Sequence, residues 1–86
     1  MQINSICVIG LGYIGLPTAS MFASRGIKVT GVDNNPEVVK SLQAGKVHIY
    51  EPGLNEVVDK ALKSDNLKIA SQPVPADVFL IAVPTP

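Results

Sequence analysis

Near the amino terminus an apolar run, Ile3 to Ile9, passes directly into Gly10-Leu11-Gly12-Tyr13-Ile14-Gly15, and the residues that follow are small or apolar. No other stretch restricts the possible folds as much. The G-x-G-x-x-G spacing is short and glycine is common, so its meaning depends on a strand before it and a helix after it. Both are present. Ile3 to Ile9 is rich in β-branched residues and reads as a parallel strand buried on both faces. Ile14 to Arg25, with Ala19, Met21, Phe22 and Ala23, reads as a helix packed closely on a sheet. Each glycine then serves a separate purpose. Gly10 permits the tight turn, Gly12 lets a pyrophosphate approach the backbone, and Gly15 lets helix and strand pack closely. The helix N-terminus supplies unpaired N–H groups and a partial positive charge, which attract a diphosphate without a lysine. Pro17 falls in the first helical turn, where its missing N–H has no partner to lose.

A second strand, Lys28 to Val32, ends at Asp33, eighteen residues beyond Gly15. That is close to the spacing of about twenty expected for the acid that binds an adenosine ribose. Its charge would repel a 2′-phosphate, and Asn34 and Asn35 offer no cation to receive one, so the pattern favours NAD over NADP. The other reading of Asp33 is a residue that begins a turn or caps the next helix, which Asn34-Asn35-Pro36 also invites.

Pro36 suits the first turn of a second helix running to about Gln43, with Gly45 as its stop. A third helix over Pro52 to Ser64 places Leu54, Val57, Val58, Ala61 and Leu62 on one face. Leu67 to Ala70 is a short third strand, and Val78 to Val83 a fourth, wholly apolar one. Strands alternating with helices imply a parallel α/β sheet of the Rossmann type, doubly wound but truncated to four strands in the order 3-2-1-4. Strands one and four then flank the topological switch point, so the glycine loop and the segment Val83 to Thr85 border one crevice. Thr85 is thereby either a residue facing the nucleotide or a strand-terminating turn residue between two prolines.

The remaining composition mainly excludes. Formal net charge is zero and the basic residues are scattered, which gives no footprint for nucleic acid. No apolar run approaches the roughly 18 residues of a membrane span, and no signal-like segment opens the chain, so the expected location is the cytoplasm. Cys7 lies mid-strand and reads as a small core hydrophobe. His48 has no second ligand at metal-binding spacing, so no metal site is expected.

Four segments carry a closer resemblance: Gly10 to Thr18, Gly31 to Asp33, Ile49 to Leu54 (Ile-Tyr-Glu-Pro-Gly-Leu) and Ile81 to Pro86 (Ile-Ala-Val-Pro-Thr-Pro). In order and spacing they resemble the N-terminal region of the nucleotide-sugar 6-dehydrogenases. The resemblance implies oxidation of a UDP-sugar C6 hydroxyl to a carboxylate in two hydride transfers to NAD, supplying uronic acids for surface polysaccharide. It also implies that Gly10, Gly12 and Gly15 hold the pyrophosphate, with Tyr13 and Ile14 contributing backbone N–H groups and packing. Asp33 would take the ribose, and Val83 and Thr85 would line the cofactor cleft. Many relatives place an arginine five residues after the ribose acid; here Val38 stands there. The family's nucleophilic cysteine, catalytic lysine and UDP-sugar domain have no counterparts among these residues, and Cys7 does not match the nucleophile's motif. The chain therefore reads as a cofactor-binding portion, inactive by itself. Other readings are a free-standing NAD or ADP-ribose module, another NAD-dependent sugar or hydroxyacid dehydrogenase, or an interaction piece that self-associates through the exposed edge of strand four.

Overall fold

The computed structural model describes residues 3–47 and 51–82. Four strands, β1 (Ser5–Ile9), β2 (Lys28–Val32), β3 (Leu67–Ala70) and β4 (Val78–Ile81), form one parallel sheet in the order β3-β2-β1-β4. Three helices join them, α1 (Gly15–Ser24), α2 (Pro36–Gln43) and α3 (Leu54–Lys63). The expected strand order is therefore the observed one. β1 begins two residues later than its apolar run suggests, because Ile3 and Asn4 are exposed. Val83, the expected last residue of β4, lies outside the described residues, as do Thr85, His48, and Ile49-Tyr50 of the third motif.

Register decides which side chains form the core. Ile6 pairs with Val29 and Val78, Val8 with Gly31 and Leu80, and Val29 with Leu67, so these residues share one face. They pack with Leu16, Ala19 and Ala23 of α1, Val39 and Leu42 of α2, and Leu54, Val58 and Ala61 of α3 in a single buried cluster. All three helices thus cover the same side of the sheet. Over the other face, which holds Cys7, Ile9, Val32 and Phe79, runs the helix-free link from Ser71 to Asp77. Val32 of β2 is buried on that side, and so is Cys7, which is why β1 reads as apolar on both faces.

Two helical positions differ from expectation. Val57, placed on the buried face of α3, and Met21, counted with the packed residues of α1, are both 42% exposed. The buried stripe of α3 is Leu54, Val58 and Ala61, spaced i, i+4, i+7, and Val57 stands at its margin. There it lines a surface groove with Pro17 and Met21.

Turn chemistry follows the sequence closely. Asn35 caps α2, its Oδ1 accepting the Glu37 N–H at 3.0 Å, and Pro36 opens the helix. Gly45 follows the end of α2 with φ +81°, the left-handed conformation glycine adopts without a Cβ penalty. At the start of the sheet, Asp77 ties the link to β1. One of its carboxylate oxygens, Oδ2, accepts the N–H groups of Asn4 and Ser5 at 2.8 and 3.2 Å, and its own N–H donates to Ser5 Oγ at 3.0 Å.

Candidate functional site

The C-terminal ends of β1, β2 and β4 meet at one edge because Ile9 pairs with both Val32 and Ile81. The turn after β1 starts with Gly10 at φ +100°, where its N–H donates to Val32 O at 2.7 Å. A side chain would strain that conformation, so glycine sets the direction in which the chain leaves the strand. Five residues on, a Cβ at Gly15 would lie 1.6 Å from Gly10 O and 3.3 Å from the Ala82 Cβ. Gly15 thus lets α1 start against the end of β1. Gly12 is different, since a Cβ there would meet nothing within 4 Å. Its lack of a side chain leaves open space at the mouth of the turn.

The start of α1 has no side-chain cap, in contrast to α2. Leu16 N–H returns to Gly12 O at 3.1 Å, whereas the N–H groups of Gly12, Tyr13, Ile14 and Gly15 donate to no acceptor among the described residues. Those of Ile14 and Gly15 are unpaired donors at the N-terminus of α1, with its partial positive charge, and those of Gly12 and Tyr13 belong to the turn before it. The Tyr13 and Ile14 side chains are 71% and 73% exposed, free of the core.

Asp33 stands opposite. Its Oδ2 accepts the Leu11 N–H at 3.0 Å and its Oδ1 accepts the Asn35 N–H at 2.9 Å. The turn-forming role considered for this residue is therefore real, although the cap of α2 is Asn35. A carboxylate has about four acceptor positions, so two bonds leave capacity for hydroxyl donors.

Between these groups lies a cleft of about 610 Å³. Gly10, Gly12 and Asp33 line it together, with Ile9, Val32 and Ala82 at its base. Tyr13, Ile14 and Gly15 border the loop without lining the cleft. Val38 and the segment Ser71 to Pro73 also line it. That last segment was not singled out from the sequence, although the topology contains the signal. In a parallel sheet the residues after β3 emerge at the same edge as those after β1 and β2. Val38 presents an apolar side chain to the cleft. Among the described residues no group of three or more His, Cys, Asp or Glu could hold a metal ion.

A parallel sheet whose first strand turns through glycines onto an uncapped helix, with a carboxylate at the end of the adjacent strand, is the mononucleotide-binding half of a dinucleotide-binding domain. Residues 4–86 match the family model for the NAD binding domain of the UDP-glucose/GDP-mannose dehydrogenase family, and the chain belongs to that family. The UDP-N-acetyl-D-mannosamine dehydrogenase of Campylobacter jejuni is 56% identical over 85 residues, covering 99% of this chain and 21% of that protein. The solved UDP-N-acetyl-mannosamine dehydrogenase of Staphylococcus aureus superposes with a TM-score of 0.93 at 52% identity, over 95% of this chain and 20% of that one. A UDP-glucose dehydrogenase from Pyrobaculum islandicum gives 0.87 at 42% identity, again over 95% and 20%. The chain spans about a fifth of the length of these relatives.

Proposed function

We propose that this chain holds the adenosine and pyrophosphate half of NAD for an enzyme that oxidises the C6 hydroxyl of a UDP-sugar to a carboxylate. The observation that carries this reading is one cleft lined by Gly10 to Gly12 of the glycine turn and by the Asp33 carboxylate, beside the N–H groups of Tyr13, Ile14 and Gly15, which donate to no acceptor among the described residues. The open space at Gly12 suits a pyrophosphate drawn against the backbone, where the orphan N–H groups bind anionic oxygens. Tyr13 and Ile14 contribute N–H donors there, and Gly10 and Gly15 hold the turn in place. Asp33 uses its remaining acceptor positions for the ribose hydroxyls and disfavours a 2′-phosphate. Val38 and Pro73 offer the adenine an apolar surface. Val83 and Thr85, which lie outside the described residues, are proposed to line the cofactor cleft as well.

When bound, NAD supplies the hydride acceptor; this chain's part is to bind and orient the cofactor. No residue here is assigned the base or the thiol that a two-step alcohol oxidation requires. The relatives named for UDP-N-acetyl-D-mannosamine point to that sugar as substrate, and the product is a uronic acid of the kind used in surface polysaccharide. Among the described residues no helix is long and apolar enough to cross a membrane, in keeping with work in the cytoplasm.

Calorimetric titration with NAD, NADP and ADP-ribose tests the reading. NAD and ADP-ribose should bind while NADP does not, and Asp33→Ala should cost about 1 to 3 kcal/mol, or roughly five- to 150-fold in Kd. Equal binding of NADP, or undiminished binding by a folded Asp33→Ala chain, would remove Asp33 from the ribose site.

A further inference from the structure

Gly31 lies in the middle of the sheet, pairs with Val8 and Ile69, and does not line the cleft. A glycine inside a strand weakens it by conformational entropy and offers no side chain to pack, so its presence marks a close approach of another group. Its φ is not among the positive values, and the backbone conformation therefore does not call for glycine. The neighbour does. A Cβ at position 31 would lie 2.9 Å from Leu11 Cδ2, 3.2 Å from Leu11 Cδ1 and 3.4 Å from Ile69 Cδ1. Leu11, the residue between the first two glycines of the turn, is fully buried, and its side chain rests on the bare surface of Gly31.

Two further ties run from the same stretch of β2. Val32 O accepts the Gly10 N–H at 2.7 Å, and Asp33 Oδ2 accepts the Leu11 N–H at 3.0 Å. Three consecutive residues, the last two of β2 and the one after it, thus hold two consecutive residues of the turn, by a packed side chain, a main-chain bond and a charge-assisted bond. We propose that Gly31 is a positioning residue for the pyrophosphate-binding turn: it seats Leu11 so that Asp33 can latch its N–H, and this fixes the turn before the nucleotide arrives. The proposal rests on the reading of the cleft as a nucleotide site and assigns affinity for the phosphates to a residue that never touches them. A turn with glycines at two of three positions has much conformational entropy to lose, and a ligand that finds it already ordered does not bear that cost.

The seat also links two properties treated separately above. Asp33 faces the ribose with one part of its carboxylate and holds the turn with another, so replacing it changes both the choice of cofactor and the order of the turn. Gly31 permits a separation, because its substitution leaves the Asp33 carboxylate intact.

The test is a pair of substitutions. Gly31→Ala puts a methyl against the far end of a flexible side chain, which can move aside, so the chain folds while Leu11 leaves its seat. Leu11→Val in the same chain removes one carbon for the one added and restores the volume. In Gly31→Ala, NAD and ADP-ribose should bind about tenfold more weakly, and the Leu11 amide should exchange with solvent faster while amides of β1 and β3 keep their protection. The double variant should regain binding to within about threefold and recover slow Leu11 exchange. Unchanged binding and unchanged Leu11 exchange in Gly31→Ala would overturn the proposal. So would a loss that spreads evenly over all core amides and is not repaired by Leu11→Val, since that is a general loss of stability. If the unsubstituted chain binds no nucleotide, the reading of the cleft fails. The exchange measurements still decide whether Gly31 seats the turn.

Discussion

At the scale of single residues, the glycines of the turn divide into those that the fold needs and one that it does not. Gly15→Ala would drive a Cβ to 1.6 Å from a backbone oxygen, and neither partner is the end of a flexible side chain. Relief requires moving the turn or the start of α1. We expect a cost at or above the upper part of the usual overpacking range of about 1 to 3 kcal/mol, and a melting temperature lower by about 10 °C or more in a thermal denaturation curve. Gly12→Ala adds a Cβ to open space, and its melting curve should match the parent within a few tenths of a kcal/mol. The same methyl occupies the room at the mouth of the turn, and NAD titration should show binding weakened at least tenfold. Both glycines were legible in the sequence through their spacing, but only Gly15 answers a steric demand of the fold, and Gly12 answers the room that the proposed ligand requires. The Leu11 seat and the Asp33 latch were not legible. They depend on side-chain directions that a linear spacing does not encode, and Gly31 resembles a weak spot in a strand until its neighbour is known.

Among the elements, the strands were the easiest to read. β2 and β3 have the expected bounds because runs of β-branched and apolar residues between turn formers leave little choice. Helix faces were less legible. Val57 fits the apolar stripe of α3 by spacing, but the stripe is wider than the surface α1 and the sheet offer it, so its margin remains open. Asp77 was invisible as a structural residue, since a lone aspartate in a proline-bearing link reads as surface. Yet it secures the start of β1 to the residue before β4, with Oδ2 and its own N–H making three hydrogen bonds. Removing the carboxylate in Asp77→Ala breaks two of them, both exposed, and should cost about 1 kcal/mol, a fall of roughly 4 to 8 °C in melting temperature. Hydrogen exchange should locate the effect at the first residues of β1 and leave α1 unchanged. Uniform loss of protection, or none, would show that the tie does not fasten this end of the sheet.

For the whole molecule, the decisive feature is that one face of the sheet carries three helices and the other carries a short link. β4 alternates between half-buried and exposed residues, and Phe79 and Ile81 are 49% and 72% exposed on the side without helices. Among the described residues β4 pairs only with β1, so an apolar strand presents both an open face and an open edge. Concentration-dependent association of this chain is the expected result in equilibrium sedimentation. Ile81→Lys should shift it toward monomer without lowering the melting temperature. A clean monomer at high concentration in the parent chain would show that the edge does not pair. The same arrangement has a consequence in time. Of the four described strands β1 is synthesised before the others, but it lies between β2 and β4, and the bonds that close its far side join residues 72 and 73 positions apart. During synthesis it can dock on β2 early, yet it waits half-paired until Asp77 and Val78 have been made. Loop closure over so long a separation is slow compared with local pairing. The strand that leads into the nucleotide turn is therefore made before the three others described and is flanked on both sides only once the latest of them has been made.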